Sequence, residues 1–227
     1  MALPASPWAA PDTVAGFASS PPNETLVRFA AAERRASGGR RLLDIGCGAA
    51  RNAVPLAENG WHVLGLDLSR PMLDAAFGRA RQAGVSSRVH LAAAAMDHLP
   101  AADASMDFVV AHGIWNLARS GAEFRRAGHE AARVARPGAA LFVFTFSRHT
   151  LPEDAEPVAG DAFVFTQFSG QPQCFLTDAQ LVAELAAAGF TPERAVPLTE
   201  LNRPRPGAMT IGRAPVIYQG AFRLTLF

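Results

Sequence analysis

The chain has 227 residues, enough for one α/β domain with a full core and short for two. Apolar residues make up 49%, and 21 basic side chains nearly balance 20 acidic ones, so the charge favours neither nucleic acid nor an anionic membrane as a partner. Every basic residue is arginine, which excludes Schiff-base chemistry on lysine and a phosphate-loop lysine.

The two cysteines, Cys47 and Cys174, are too few for a disulfide framework. Met1–Ser20 is rich in Ala and Pro and lacks the charged start and apolar run of a signal peptide. No apolar run reaches the ~18 residues of a membrane span. The expectation is a soluble, cytoplasmic protein with no membrane partner.

In chain order, Asn23 after Pro21-Pro22 starts a helix over Glu24–Arg35. Arg41–Ile45 reads as a buried strand, Gly46–Ala50 as a turn and Asn52–Asn59 as a helix stopped by Gly60. Trp61–Asp67 is a second strand, and Ser69 caps a helix that runs to Gly84. Arg88–Leu91 and Met106–Ala111 are the third and fourth strands. Glu123–Ala135 is helical up to Pro137-Gly138, and Ala139–Phe146 is the fifth strand. Ser147–Phe175 is irregular. Thr177-Asp178-Ala179-Gln180 is a capping box opening a helix that ends at Gly189. Phe190–Pro197 and Ala214–Leu226 read as strands, separated by a Pro/Arg-rich loop at Asn202–Gly207.

Strands alternating with helices predict a doubly wound, mostly parallel sheet covered on both faces. The chemistry sits in Asp44-Ile45-Gly46-Cys47-Gly48-Ala49-Ala50-Arg51. A strand running into Gly-x-Gly and a helix lets a ligand approach bare backbone. Asp67 ends the next strand, where a carboxylate can accept both hydroxyls of an adenosine ribose. A dinucleotide fingerprint asks for a small residue three positions after Gly48; Arg51 stands there and argues against a pyrophosphate ligand.

Leu42–Asn52 followed by Gly60–Asp67 resembles the first two motifs of class I S-adenosylmethionine-dependent methyltransferases. Ala50 fills that family's small position. Gly-Cys-Gly-x-x-Arg-Asn is similar to the small-molecule branch of tellurite-resistance and thiopurine methyltransferases. His98-Leu99-Pro100, Ser105–Val110 and Arg136–Ala139 continue the likeness in order.

The resemblance implies a seven-stranded Rossmann-like fold whose last strand is antiparallel. The likeness does not extend before about Glu24 or over Ser147–Phe175; the chain is expected to divide into a cap or lid at residues 1–40 with one helix, and an S-adenosylmethionine-binding domain at 41–227. Within that domain, 147–175 is a substrate-side insertion. The implied activity is in-line methyl transfer to a small-molecule acceptor whose nucleophilic atom (O, N, S or metalloid) is not specified.

Roles follow position by position. Gly46, Cys47 and Gly48 would form the cradle, with Cys47 filling space. Asp44 would face the methionine ammonium and Arg51 its carboxylate, unless Arg51 is a surface helix residue. Asp67 would hold the ribose. Leu68 and Met72 would flank adenine, with a core role as the alternative for Met72. Ala95 and Met96 would line the ring's other side, where many members carry an acid; either Asp97 or the backbone alone would substitute. Ala111 and His112 would border the cofactor.

His149 is the first candidate base and His112 the second, because both follow strand ends and histidine titrates near neutrality; a structural role is the alternative for each. Trp115 faces either the acceptor or the core. Phe17, Phe168 and Tyr218 belong to segments that either cover the acceptor or form a satellite core. The strand ends lack paired acids, so no metal is expected, and no Asn-Pro-Pro-Tyr signature of base methylation is present. Two other readings stand beside this one: a non-catalytic cofactor-binding protein, and a nicotinamide-dependent oxidoreductase, which the missing Tyr-x-x-x-Lys disfavours.

Overall fold

The computed structural model describes residues 7–203 and 214–225. Its centre is a sheet in which β1 (Arg41–Ile45), β2 (His62–Leu66), β3 (Val89–Ala92), β4 (Met106–His112) and β5 (Ala135–Phe146) pair in parallel. The order is β3-β2-β1-β4-β5, continued by β10 (Ile217–Leu224) and β8 (Phe190–Pro192). β10 runs antiparallel to β5, from Ile217 opposite Phe146 to Arg223 opposite Ala140. A short β9 (Thr199–Leu201) also pairs with β10, and β6 (Val164–Phe165) and β7 (Gln173–Cys174) form a separate two-stranded antiparallel sheet. The seven-strand expectation therefore holds along the main path, with β9 as an added edge piece.

Side-chain alternation splits the apolar residues between two cores. Leu42, Val63, Phe108, Val110 and Phe142 pack with α2 (Glu24–Ser37), α3 (Ala53–Glu58) and α4 (Arg70–Gln82). Leu43, Ile45, Val109, Leu141 and Val143 pack with α5 (Gly121–Val134) and α6 (Asp178–Ala187). Burial on both faces is why these strands read as unbroken apolar runs. The helix starts at Asn23, Ser69 and the Thr177–Gln180 capping box carry the expected caps, and Ser120 caps α5.

Three sequence readings are corrected. The N-terminal segment holds a second helix, α1 (Pro11–Ser19), after a 3-10 turn at Pro7–Ala9. α5 stops at Val134, ahead of Pro137-Gly138, and β5 starts at once at Ala135. Pro137 then falls where the β4–β5 register shifts, the irregular site that a residue without an N–H requires. The strand expected over Phe190–Pro197 shortens to β8. The Pro/Arg-rich loop lies mostly outside the described residues. Among the described residues no helix is long and apolar enough to cross a membrane.

Gly220 on β10 lies close against the Leu198 backbone. A Cβ there would come 2.9 Å from the Leu198 Cα. Gly220→Ala is expected to destabilise the fold by about 1–3 kcal/mol. Thermal unfolding checks it, with a fall in Tm of several degrees expected.

Candidate functional site

The strand order reverses between β1 and β4, and the carboxyl ends of an α/β sheet at such a point form a crevice. At that edge β1 delivers the chain into Gly46 (φ 69°) and Gly48 (φ 52°), both in the left-handed region that disfavours a side chain. A Cβ on Gly46 would lie 2.8 Å from the Ile114 side chain, and one on Gly48 would lie 3.5 Å from the Phe17 ring. Ala50 shares the left-handed conformation (φ 60°). The Cys47 N–H donates to the Leu66 carbonyl at 2.8 Å, and its buried thiol packs against Gly65. The space-filling role fits, and burial pushes that thiol's pKa well up.

Two acids flank the loop. Asp67 accepts from the Gly48 N–H at 2.9 Å and from the Ser69 N–H at 2.8 Å, one bond to each carboxylate oxygen. Each oxygen keeps a lone pair for a further donor. Asp44 is buried, and among the described residues its Oδ2 has no hydrogen-bond partner. Burial pushes the Asp44 pKa up to about 7, against the pull of the Arg51 cation and reinforced by the nearby Asp67. An orphaned buried acid is costly unless something binds it; an ammonium group on a ligand would fit.

Leu68 is 72% exposed directly after Asp67, an apolar side chain open to a flat ring. Met72 is buried, and its sulfur lies 4.0 Å from the Cβ position of Gly48, so its core and cradle roles coincide. Met96 is buried and Ala95 half-buried on the far side of β2. Asp97 does not stand in for the missing acid. Its carboxylate is bonded by Arg126 and His98, each at 3.1 Å. The Ala111 side chain points into the α5-side core, leaving its backbone at the crevice.

His112 is a network residue. Its ring is 8% exposed and stacks on Phe144 at 4.1 Å. Arg51 Nη2 lies 3.3 Å from its Nδ1, and Asn23 Nδ2 lies 3.2 Å from its Nε2. Asn23 Nδ2 also donates to Gln219 at 2.7 Å, its Oδ1 caps α2 by accepting from the Leu26 N–H, and its backbone N–H donates to Asn52 Oδ1 at 2.9 Å. Burial, aided by the Arg51 charge, pushes the His112 pKa down to about 3. A ring held neutral this firmly is a poor proton acceptor at neutral pH, so the second base candidate is corrected to a structural role. Arg51 is likewise drawn inward toward this network.

His149 differs. It follows β5, and its side chain is 44% exposed. Its Nδ1 donates to Glu200 Oε1 at 2.6 Å. Buried Ser147 donates to the same carboxylate oxygen, and Arg203 Nη2 lies 3.4 Å from the His149 Nε2. Burial pushes the Glu200 pKa up, but hydrogen bonds from Ser147 and His149 outweigh it and hold the carboxyl below its ordinary range. Tyr218, buried, pairs directly opposite Glu200. Sequence reading missed Glu200 because β9 was not recognised. The alternating Thr199-Glu200-Leu201 ahead of the loop was its one signal.

Trp115 is fully buried against Phe124 at a ring separation of 5.9 Å, so the core reading replaces acceptor contact. Within 147–175, Arg148 donates to the carbonyls of Pro152, Glu153 and Ala155 and lies 4.9 Å over Phe165. Phe165, Phe175 and Leu151 form a satellite core. Phe168, 43% exposed, packs on its rim against Phe146 at 5.3 Å. Phe17 sits over the glycine loop rather than the β5 end. Its helix is tied to α4 by Arg79 donating to the Ala18 carbonyl at 2.8 Å, and the turn before it by Ser69 Oγ donating to the Trp8 carbonyl at 2.9 Å.

A bare-backbone cradle, an orphaned acid and a second acid one strand over offer the groups that an adenosine ligand carrying an ammonium would need. Residues 43–143 match the family model described as methyltransferase domain. The chain is 34% identical over 180 residues to 27-O-demethylrifamycin SV methyltransferase of Amycolatopsis mediterranei, covering 73% of this chain and 59% of that protein. It is 32% identical over 156 residues to a ubiquinone biosynthesis O-methyltransferase of Azorhizobium caulinodans, covering 67% and 59%. The matches thus span less than two thirds of either relative. The fold is similar to that of 1,6-didemethyltoxoflavin-N1-methyltransferase of Burkholderia thailandensis, solved with S-adenosylhomocysteine (TM-score 0.63, 21% identity, 89% of this chain and 80% of that one). Residues 43–143 thus resemble a methyltransferase domain, and the chain shares the fold of solved S-adenosylmethionine-dependent methyltransferases. The cofactor of such enzymes is S-adenosylmethionine, and the residues at the cradle fit it.

The Asp44 environment makes a pH prediction. Below pH about 7 the cofactor-free protein carries a proton on Asp44, whereas an ammonium needs the carboxylate. Binding must then release that proton, so affinity is expected to rise with pH up to about 7 and level off above it. Calorimetry in two buffers of different ionisation enthalpy checks this, with proton release at pH 6 that Asp44→Asn abolishes. Folding stability carries the opposite sign. A carboxyl raised by burial contributes stability at acid pH that is lost as pH climbs through about 7.

Proposed function

We propose that the chain transfers the methyl group of S-adenosylmethionine to a hydroxyl group on a small organic molecule. When bound, the cofactor supplies an electrophilic methyl on a sulfonium, open to in-line displacement. Asp44 holds the ammonium and Asp67 the ribose. Leu68 and Met72 flank one side of adenine, with Ala95 and Met96 on the other. Arg51 is within the same network for the methionine carboxylate. Residues 7–22 act as a cap over the cofactor, and 147–175 as the acceptor-side insertion. Orientation in such a site is worth up to about 7–11 kcal/mol of the barrier.

The observation that carries the hydroxyl reading is His149 at the end of β5, with its Nδ1 engaged by Glu200 and its Nε2 turned toward Arg203. A thiolate or free amine needs no base; a hydroxyl does. β5 stands two strands from β1, about 10 Å along the crevice. The two curated relatives, named for an O-demethylated antibiotic and for ubiquinone biosynthesis, support oxygen as the acceptor atom.

The test is a release assay for S-adenosylhomocysteine across phenols, aliphatic alcohols, amines, thiols and carboxylates. Turnover confined to hydroxyl compounds supports the reading. Turnover confined to amines or thiols, or cofactor binding with no turnover on any class, rejects it.

A further inference from the structure

We propose that Glu200 is the positioning residue of the acceptor site: it fixes His149 in the single tautomer whose free Nε2 takes the acceptor's proton. This rests on the hydroxyl reading above. Four observations converge on it. The Nδ1–Glu200 contact, at 2.6 Å, is short and charge-assisted, so Nδ1 carries the hydrogen. Arg203 can only donate, and it faces Nε2 at 3.4 Å, so the partner on the other side of the ring selects the same tautomer. The carboxylate is itself held in place. Ser147 donates to the oxygen that His149 uses, and Arg203 pairs with the other oxygen at 3.2 Å. Finally, Glu200 is anchored by the β9–β10 ladder, opposite buried Tyr218.

The contrast with His112 makes the arrangement informative. Both histidines lie at or just past the carboxyl ends of strands, His112 as the last residue of β4 and His149 after β5. His112 is buried with nitrogen donors at both ring nitrogens and no carboxylate on either. His149 has a carboxylate behind it and an exposed edge in front. An imidazolium formed there is stabilised by Glu200. In the step this serves, the acceptor's O–H proton passes to Nε2 while the bond's electron pair stays on oxygen. The imidazolium then returns the proton to solvent through its exposed edge. Arg203 caps Nε2 and must swing aside for the acceptor. Its side chain is 60% exposed, which leaves it that freedom.

The experiment reads the tautomer directly, in the full-length protein saturated with S-adenosylhomocysteine. Long-range 15N–1H correlation spectra of histidine-labelled protein resolve protonated from bare ring nitrogens, and His149→Gln assigns the His149 signals. The wild-type protein is expected to show His149 with Nδ1 protonated and Nε2 bare. Glu200→Ala is expected to give mixed tautomers with unchanged cofactor affinity, at a lower Tm because buried Ser147 loses its acceptor. An unchanged His149 spectrum in Glu200→Ala would overturn the proposal, as would a wild-type ring protonated at Nε2. This readout needs no acceptor, so failure to find a hydroxyl substrate bears on the proposed function alone. With a hydroxyl acceptor in hand, kcat for Glu200→Ala should fall about 100-fold while KM holds. An equal fall for a thiol acceptor of the same shape would contradict a role through proton transfer.

Discussion

Replacing Asp67 with alanine is expected to weaken S-adenosylmethionine binding by about 100-fold. The carboxylate spends one lone pair of each oxygen on the Gly48 and Ser69 N–H groups, which leaves two acceptor positions facing the crevice. Hydrogen bonds to a charged group contribute about 1.5–3 kcal/mol each, so losing two removes about 3 kcal/mol or more. That corresponds to about two orders of magnitude in Kd. The substitution also frees the Gly48 N–H and loosens the cradle. Asp67→Asn keeps one acceptor oxygen and is expected to fall between. Calorimetric titration checks both, and an alanine variant binding as the wild type does would remove the ribose assignment.

His149→Gln is expected to lower kcat for a hydroxyl acceptor by about 10²–10⁴-fold, the range over which a positioned base contributes. Cofactor affinity should hold, because His149 lies beyond the cradle at the end of β5. His112→Gln makes the matching control. That ring already resists protonation, its pKa pushed down to about 3, so its loss should act on stability and on the Asn23–Arg51 network instead. Stability from a neutral buried histidine is present above its ordinary pKa and lost as pH falls from there toward 3. A His112 variant with the larger loss of kcat, beside a nearly active His149 variant, would reverse the two roles.

The parallel half of the fold was legible because its signals are local. Leu42–Ile45 and Phe108–Ala111 are buried on both faces and read as apolar runs, while Asn23, Ser69 and Thr177 cap helices with bonds inside one turn. Gly46, Gly48 and Asp67 were legible for the same reason, since the backbone itself demands those residue types. What escaped was set by distant contacts. β9 has three residues and exists by pairing with β10, so Glu200 had no pattern of its own. α1 lacks a side-chain cap and is held on α4 by Arg79, with Ser69 holding the turn before it. Asp97 looked free along the chain, and a helix 29 residues away supplied the arginine that occupies it. Trp115 looked like a site aromatic from its position after β4, but Phe124 on α5 draws it into the core.

The central claim is that the Gly46–Gly48 loop, Asp44 and Asp67 form one cradle for a sulfonium nucleoside. Calorimetric titration of the purified chain with S-adenosylmethionine, and separately with NAD, tests it most directly. The account predicts saturable one-to-one binding of S-adenosylmethionine, lost in Asp67→Ala, with no heat from NAD. Binding of NAD in preference, or no binding of the sulfonium nucleoside at all, would contradict it.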